Sequence, residues 1–356
     1  MIDFLIIGGG VAGISAAARL SSLGTVCVLE AETGLGYHAS GRSAAMFEEN
    51  YGSPSTCALS RASAAYFKTG GYLRERGLML VGKDGDETDF DAACKDLVMH
   101  PLPLEEAFQK IPILNPATVR MAAFHDDARD LDADRLLQDF ARTAKRNGAD
   151  ILTDHRVTAI KRTETGWSVT ANQTVFNAKL LFDAAGPWAD MIAELAGIAP
   201  LGVTPLRRSM ARIPAPGGHD ITDWPMLMGP REDWYAKPDA GKLLISPSEE
   251  DPQSPHDAWA DDLVLAEGIA RYQDHVTETV TRLETSWAGL RTFAPDRNLA
   301  LGPSAQDSSF FWIAAQGGYG FQTAPAASQL IADIVSGAPS RIDAAAQSAL
   351  DPKRFF

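Results

Sequence analysis

The chain is 356 residues long, 45% hydrophobic and 22% charged, with 32 Lys and Arg against 46 Asp and Glu and a formal net charge of −14. That apolar fraction excludes a disordered chain. The acidic balance argues against a nucleic-acid binder and against attachment to anionic lipid headgroups, and the length exceeds one small core and calls for about two domains.

The first element is the apolar run Phe4–Ile7, which has the look of a strand buried on both faces. It leads into Gly8-Gly9-Gly10-Val11-Ala12-Gly13, then a helical stripe of Ile14, Ala17, Ala18 and Leu20. Gly24 is placed to end that helix in a left-handed conformation. A second strand, Thr25–Leu29, closes on Glu30. Strand, G-x-G-x-x-G, helix, strand and acid within about 30 residues form a dinucleotide-binding unit. Gly8 permits the turn, Gly10 admits a pyrophosphate, and Gly13 lets helix and strand pack closely. The helix N-terminus offers unpaired N–H groups to phosphate. Glu30 suits a ribose diol and would repel a 2′-phosphate, which argues against NADP. The motif alone does not separate FAD from NAD.

The next stretch, Gly36 to Ala45, is a small-residue loop carrying Arg42 and entering a helix at Ser43 and Ala44. Arg156–Lys161 and Trp167–Thr170, divided by a turn near Gly166, form a hairpin. The strand Ala178–Phe182 ends in Asp183-Ala184-Ala185-Gly186, small enough for close approach to a flat ligand. Ser246–Ala258 is polar and contains proline, so a surface loop is expected. Phe310–Ala315 is a further strand, followed by a second glycine-rich turn, Gln316 to Thr323, and a helix with Ala327, Leu330, Ile331 and Ile334 as its stripe. A cofactor domain built from distant segments follows.

Cys27, Cys57 and Cys94 are odd in number and lack a C-x-x-C pair, so neither a disulfide framework nor a zinc site is expected. The seven histidines form no metal-ligand spacing, and no metal is expected. No run of about 18 apolar residues marks a membrane span. The start, Met1-Ile2-Asp3-Phe4, lacks the basic opening of a signal peptide, so a cytoplasmic location is expected.

GYHASGRSAA, DAAGPWAD, PLRRS, DWPML, WYAKPDAG, SWAGLRTFAPD, AAQGGYGFQT and the terminal Asp351-Pro352-Lys353-Arg354-Phe355 together give the chain its identity at family level. With the N-terminal glycines, this combination resembles the D-amino-acid oxidase-like (DAO) superfamily of FAD-dependent oxidoreductases. It is most similar to the bacterial D-arginine dehydrogenase and D-amino-acid dehydrogenase group. The resemblance covers nearly the whole chain. It implies an α/β fold: a Rossmann-like FAD domain, with a parallel sheet plus β-meander, and a substrate domain of mixed antiparallel sheet and helices. The FAD domain would comprise 1–75, 133–204 and 290–356, and the substrate domain 76–132 and 205–289.

The same resemblance implies noncovalent FAD held by Gly8, Gly10, Ala12, Gly13, Glu30, Ala31, His38, Ser40, Arg42, Ser43, Ala44 and Ala45. The set continues with Val157, Ala185, Gly186, Trp188, Arg291, Gly317, Gly318, Tyr319, Gly320, Gln322 and Thr323. His38 stands in a context resembling the flavin-linked histidine of some dimethylglycine and sarcosine enzymes. The D-arginine dehydrogenase type has a histidine there too, without a covalent bond. Arg208 and Arg291 match a carboxylate clamp, for which the planar guanidinium fork suits a carboxylate. Tyr51 and Tyr235 match hydroxyls that help hold it, and the Gly318 carbonyl matches the group that faces the substrate amine. The implied reaction moves a hydride from the α-carbon of an amino acid to flavin N5. The resulting imine hydrolyses to a 2-oxo acid and ammonia. The partners implied are a small amino acid and an electron acceptor that is a quinone, a carrier protein or oxygen.

This chain departs from that group in one compartment. Leu78 stands where D-arginine-specific relatives place a glutamate, Met46 where they have a histidine, and Met226 and Met228 add apolar lining. A desolvated guanidinium without a partner is costly, so a neutral or hydrophobic side chain, or a secondary amine, is expected. Glu48 and Glu49, in the loop of Tyr51, are the residues able to restore a cation site. Other readings on the same residues are a sarcosine- or glycine-type oxidase forming hydrogen peroxide, a 2-hydroxy-acid dehydrogenase, and a flavin-binding redox sensor or subunit.

Overall fold

The Ile2–Ile7 strand lies between two parallel neighbours, Val26–Leu29 on one side and Thr174–Asp183 on the other. Strands buried on both faces need an unbroken apolar run, and Phe4 to Ile7 and Val26 to Leu29 are buried at every position. The computed structural model describes residues 1–356. Asp150–Leu152 extends this eight-stranded sheet beyond Val26–Leu29, and Phe310–Ala314 joins the far side of Thr174–Asp183 in parallel. The first half of Thr174–Asp183 is also the last strand of an antiparallel meander, after Val157–Thr163 and Gly166–Ala171.

Alternation along these strands builds two cores. Phe4, Ile6, Val28 and Phe182 face the helices Val11–Leu20, Pro54–Gly70, Ala133–Arg146 and Gly320–Ser336. Leu5, Ile7, Leu29 and Leu181 face the other way, against Trp167, Val169 and the helix Ala189–Ala196. Gly13 and Gly8 make the first layer possible. A Cβ on Gly13 would stand 2.0 Å from the Gly8 carbonyl oxygen, and one on Gly8 2.3 Å from that of Ala184.

A nine-stranded sheet stands beside the first, drawn from residues 78–125 and 204–293. Its long pair is Thr204–Pro214 against Thr285–Phe293, and it continues through Lys242–Ser246, Tyr235–Asp239 and Met226–Met228 to Leu78–Gly82. One face (Met79, Val81, Leu227, Ala236 and Ile245) packs on Ala107 and Tyr272 of two covering helices. The opposite face (Leu78, Leu80, Met210, Met228, Tyr235 and Leu244) looks toward the parallel sheet and its glycine turns. A small third sheet, Met46–Phe47, Arg129–Leu131 and Leu73–Glu75, sits at the junction.

Three local expectations are corrected. Gly24 is not left-handed: the Val11–Leu20 helix closes through Ser21, and Gly24 is small because the Asp3 and Phe4 side chains press on it. No helix starts at Ser43. The chain makes one 3-10 turn, Ala39–Arg42, then runs extended through Ser43 into Ala45 at φ 50°, because the small residues follow the cavity wall instead of coiling. Ser246–Ala258 is not simply a surface loop. Ser246 and Ser248 are buried, and Glu249 turns inward to accept a hydrogen bond from the Ser209 N–H at 2.7 Å.

Asp183 ends its strand fully buried. Its Oδ1 accepts from the Ala185 N–H at 3.0 Å, and its Oδ2 has no partner. Burial raises this carboxyl well above its ordinary 3.8, against the pull of the Ala185 N–H and with the charge of Asp190 adding to the rise. Above about pH 4 the unfolded chain releases a proton that the folded chain keeps, so folding stability falls as pH rises toward the elevated pKa of Asp183. Each pH unit in that window costs about 1.4 kcal/mol. Urea unfolding across pH is expected to show Asp183→Asn more stable than the native chain at neutral pH, with the advantage vanishing near pH 4.

Candidate active site

Two joined cavities lie between the sheets, of about 390 and about 110 Å³. Ser43, Ala44, Arg208, Tyr235, Arg291, Gly318 and Phe321 line both, so the larger opens into the smaller at these residues.

The larger cavity runs along the C-terminal ends of the parallel strands, where such sheets bind ligands. Gly8, Gly10, Val11 and Ala12 wall one side. A Cβ on Gly10 would meet only the Ser40 hydroxyl, at 3.3 Å, so the backbone here faces open space. Ser40 Oγ accepts from the Val11 N–H at the helix start. Glu30 lines the cavity with both oxygens already engaged, Oε2 by the Gly9 N–H (2.6 Å) and Oε1 by the Glu32 N–H (2.8 Å). Each oxygen keeps a second lone pair for a diol. Ala31, His38, Arg42, Val157, Ala185, Gly186, Trp188, Gly317 and Gly320 also line it. The Gly320–Ser336 helix aims its N-terminus at the same space, so two helix dipoles converge there. A long groove with glycine backbone at one end, a carboxylate for a diol and two positive helix ends fits FAD.

Not every expected cofactor residue reaches the groove. Gly13 is internal packing. Thr323 is fully buried, its hydroxyl donating to the Tyr319 carbonyl. Tyr319 backs the site, its ring edge-on to Tyr51 at 5.3 Å. Ala45 and Gln322 line the smaller cavity instead. Gln322 Nε2 donates to the Tyr51 carbonyl and its Oε1 accepts from the Glu48 N–H, tying down the 48–51 loop. Arg42 is largely spent on the neighbouring sheet: Nη1 donates to the carbonyls of Ala258 (2.7 Å) and Ala288 (2.9 Å), and Nη2 pairs with Asp257. The edges of His38 face carboxylates, with Nε2 3.1 Å from Glu32 and Nδ1 3.9 Å from Asp257, while the ring packs at a tilt against Trp188, centroids 4.7 Å apart.

Strand register sets the arginines. Leu206 stands opposite Arg291, and Arg208 opposite Gly289. Period-two alternation therefore puts Arg208 and Arg291 on one face as diagonal neighbours, and turns Arg207 to the other face against Glu249, Asp251 and Asp261. Arg208 Nε donates to the Glu249 carbonyl at 3.0 Å and Nη2 to Glu250 Oε1 at 3.4 Å. Glu250 leans more closely on Arg297, at 2.8 and 3.1 Å. Burial and the nearby Arg291 charge depress the Arg208 pKa. Arg291 has no carboxylate partner. Burial opposes its charge, and Tyr51 and Tyr235 outweigh that, leaving its pKa above the ordinary value. Two half-buried guanidiniums, one sharing Glu250 with Arg297 and the other without an ion-pair partner, make a site that attracts an anion.

Tyr51 and Gly318 close this centre. The guanidinium of Arg291 lies where a Cβ on Gly318 would stand, 2.9 Å from its Nη1. The Gly318 carbonyl accepts no backbone hydrogen bond from the chain. Tyr51 donates to Glu232 Oε2 at 3.4 Å, and burial lifts both the Tyr51 and the Glu232 pKa.

The smaller cavity continues past the clamp between Met46, Leu78, Leu97, Met226 and Met228. Glu49 is not part of its wall. Glu48 is, but its Oε1 accepts from the Asn50 N–H at 2.9 Å, and its buried Oε2 turns to His125 Nε2, 3.2 Å away. The acids Glu232 and Glu250, with Leu97, were not foreseen from the sequence. Nothing in a turn such as Arg231-Glu232-Asp233 signals that its middle residue, at φ 52°, faces a cavity. Isothermal titration is expected to show Arg291→Gln weakening the binding of a simple carboxylate such as benzoate by about tenfold or more, the scale of a lost charged hydrogen bond, with Arg291→Lys in between.

Known structures share this frame. The L-proline dehydrogenase from P. horikoshii superposes with a TM-score of 0.84 at 20% identity, covering 99% of this chain and 97% of that one. The glycine oxidase from Geobacillus kaustophilus gives 0.81 at 22%, covering 96% of each. The FAD-bound L-alpha-glycerophosphate oxidase from Mycoplasma pneumoniae gives 0.83 at 18%, covering 94% of each. Among curated proteins, hydrogen cyanide synthase subunit HcnC from Pseudomonas aeruginosa is 28% identical over 178 residues, 48% of this chain and 40% of that one. The FAD-dependent oxidoreductase domain-containing protein 1 of Xenopus laevis is 25% identical over 178 residues, 44% of this chain and 34% of its own length. The chain thus matches less than half the length of these curated relatives. No helix is long and apolar enough to cross a membrane. Residues 3–334 match the family described as FAD dependent oxidoreductase (DAO), and the chain belongs to that family.

Proposed function

We propose that this protein oxidises a D-amino acid with a neutral, mainly apolar side chain, using noncovalently held FAD. The observation that carries this reading is the pair Arg208 and Arg291 beside the free Gly318 carbonyl, at the junction of a cofactor-sized groove and an apolar compartment. A planar carboxylate takes the guanidinium forks, with Tyr51 and Tyr235 beside them. The Gly318 carbonyl accepts an N–H from the amine and so orients the α-carbon toward the groove. The side chain then lies among Met46, Leu78, Leu97, Met226 and Met228. Those five side chains give an ammonium or guanidinium no partner; of the two acids on this cavity, Glu232 accepts from Tyr51, and Glu48 bonds the Asn50 N–H through Oε1 with its Oε2 3.2 Å from His125 Nε2.

Bound FAD supplies the two-electron acceptor for the hydride leaving the α-carbon. The chain holds the reacting carbon in place and limits water in the site. The imine product hydrolyses to a 2-oxo acid and ammonia. No side chain is needed as an obligatory base, because an amine that has already lost its extra proton to water is competent.

The division 1–75, 133–204 and 290–356 against 76–132 and 205–289 follows on this reading as cofactor and substrate domains. The two sheets, whose strands fall almost entirely on either side of those limits, support it. The carboxylates at both edges of His38 favour a noncovalent cofactor, and acid precipitation is expected to leave the pellet colourless and the FAD in solution.

An anaerobic flavin-reduction screen over D- and L-amino acids, N-methyl amino acids and 2-hydroxy acids tests the substrate. D-methionine, D-leucine or D-phenylalanine is expected to bleach the flavin with kcat/KM at least about a hundredfold above D-arginine and D-lysine, the scale of an uncompensated buried charge. Preference for D-arginine, or reduction by hydroxy acids alone, overturns the reading. Hydrogen peroxide in aerated turnover would mark oxygen as the acceptor, and its absence a quinone or carrier.

A further inference from the structure

Lys237 is a cation in an apolar row. It sits mid-strand in Tyr235–Asp239, on the sheet face of Tyr235, Leu244 and Met226, and only 5% of its surface is exposed. A buried ammonium is costly unless it is paired and hydrogen-bonded. Its Nζ stands 3.0 Å from Asp130 Oδ1 and donates to the Ala44 carbonyl at 2.7 Å. Asp130 is itself fixed: its Oδ2 accepts from Arg76 Nε (2.9 Å) and Nη2 (2.6 Å). Arg76 Nη1 is spent on the carbonyls of Thr222 and Trp224. The ammonium is thus held between the fixed Asp130 carboxylate and the Ala44 carbonyl.

What it holds is strained. Ala45 has φ 50°, a left-handed conformation that is strained for a residue with a Cβ. Such strain persists only where surrounding contacts over-determine it. Ala45 N–H donates to Ser43 Oγ, its carbonyl accepts from the Leu131 N–H, and Lys237 takes the carbonyl before it. Ser43 and Ala44 line both cavities and Ala45 lines the smaller one, while Lys237 itself lines neither.

We propose that Lys237 is a positioning residue: through the Ala44 carbonyl it holds the strained Ser43–Ala45 turn as the partition between the cofactor groove and the side-chain compartment, and so sets which side chains the compartment accepts. This rests on reading the smaller cavity as that compartment. Without the ammonium the turn relaxes toward an ordinary φ and the partition shifts, on a scale where about 1 Å of misplacement costs up to a hundredfold in rate.

The test uses the FAD-loaded protein. Lys237→Met is expected to alter the visible circular dichroism of the bound flavin. It is also expected to compress the kcat/KM ratio of D-leucine to D-alanine about tenfold, chiefly through the KM for D-leucine. Lys237→Gln, which keeps a donor, is expected to fall between, and it replaces the methionine variant should that not fold. In an Ala45→Gly background, where the left-handed turn carries no Cβ penalty, the added loss from the Lys237 substitution is expected to be smaller. A lower Tm with unchanged dichroism and an unchanged ratio overturns the proposal, as does strict additivity with Ala45→Gly. Visible dichroism needs no turnover, so that arm still decides the matter if no amino acid reduces the flavin.

Discussion

Two guanidiniums facing one cavity repel each other, and the chain leaves them short of counter-charge. Glu250 is shared between Arg208 and Arg297, and no acid stands within ion-pair distance of Arg291, Glu232 acting on both cavity arginines from farther off. A site in that state favours any anion that brings two oxygens in a plane. The rest of the molecule is arranged around holding this imbalance. The antiparallel pair Thr204–Pro214 and Thr285–Phe293 spaces the cations. The Gly318 backbone lies under one of them where no side chain fits. The parallel sheet brings the glycine turns of a flavin groove up to their edge.

The shared frame does not by itself select chemistry. Structures of a proline dehydrogenase, a glycine oxidase and a glycerophosphate oxidase all superpose on nearly the whole chain at 22% identity or less. Selection therefore lives in the few residues that meet at the junction of the two cavities.

Much of the cofactor half was legible in the sequence because its signals are local. The turn Gly8 to Gly13, the acid Glu30 and the strand into Asp183-Ala184-Ala185-Gly186 each depend on neighbours within a few positions. The substrate half was legible only by resemblance. Nothing in Pro205-Leu206-Arg207-Arg208 tells the two arginines apart. Strand register does so, sending Arg208 to the cavity and Arg207 into a cluster of acids on the opposite face. The inward turn of Glu249, the left-handed Glu232 and the bond from Lys237 to Ala44 join segments far apart in sequence, and no local pattern encodes them. Ser43 was misjudged as a helix start for a related reason: small residues signal proximity to something and do not specify the path taken.

The spacing of the two arginines is set by one backbone ladder, whereas Met226, Met228 and Leu78 line the compartment from strands farther along the same sheet and Met46 from the small third sheet. On the proposed reading, the side chains that grip the head of a ligand and those that meet its tail sit on different strands of one sheet. Substitutions at Met46, Leu78, Met226 or Met228 leave the ladder untouched. A lineage built on this plan can exchange one diet for another while keeping the same grip.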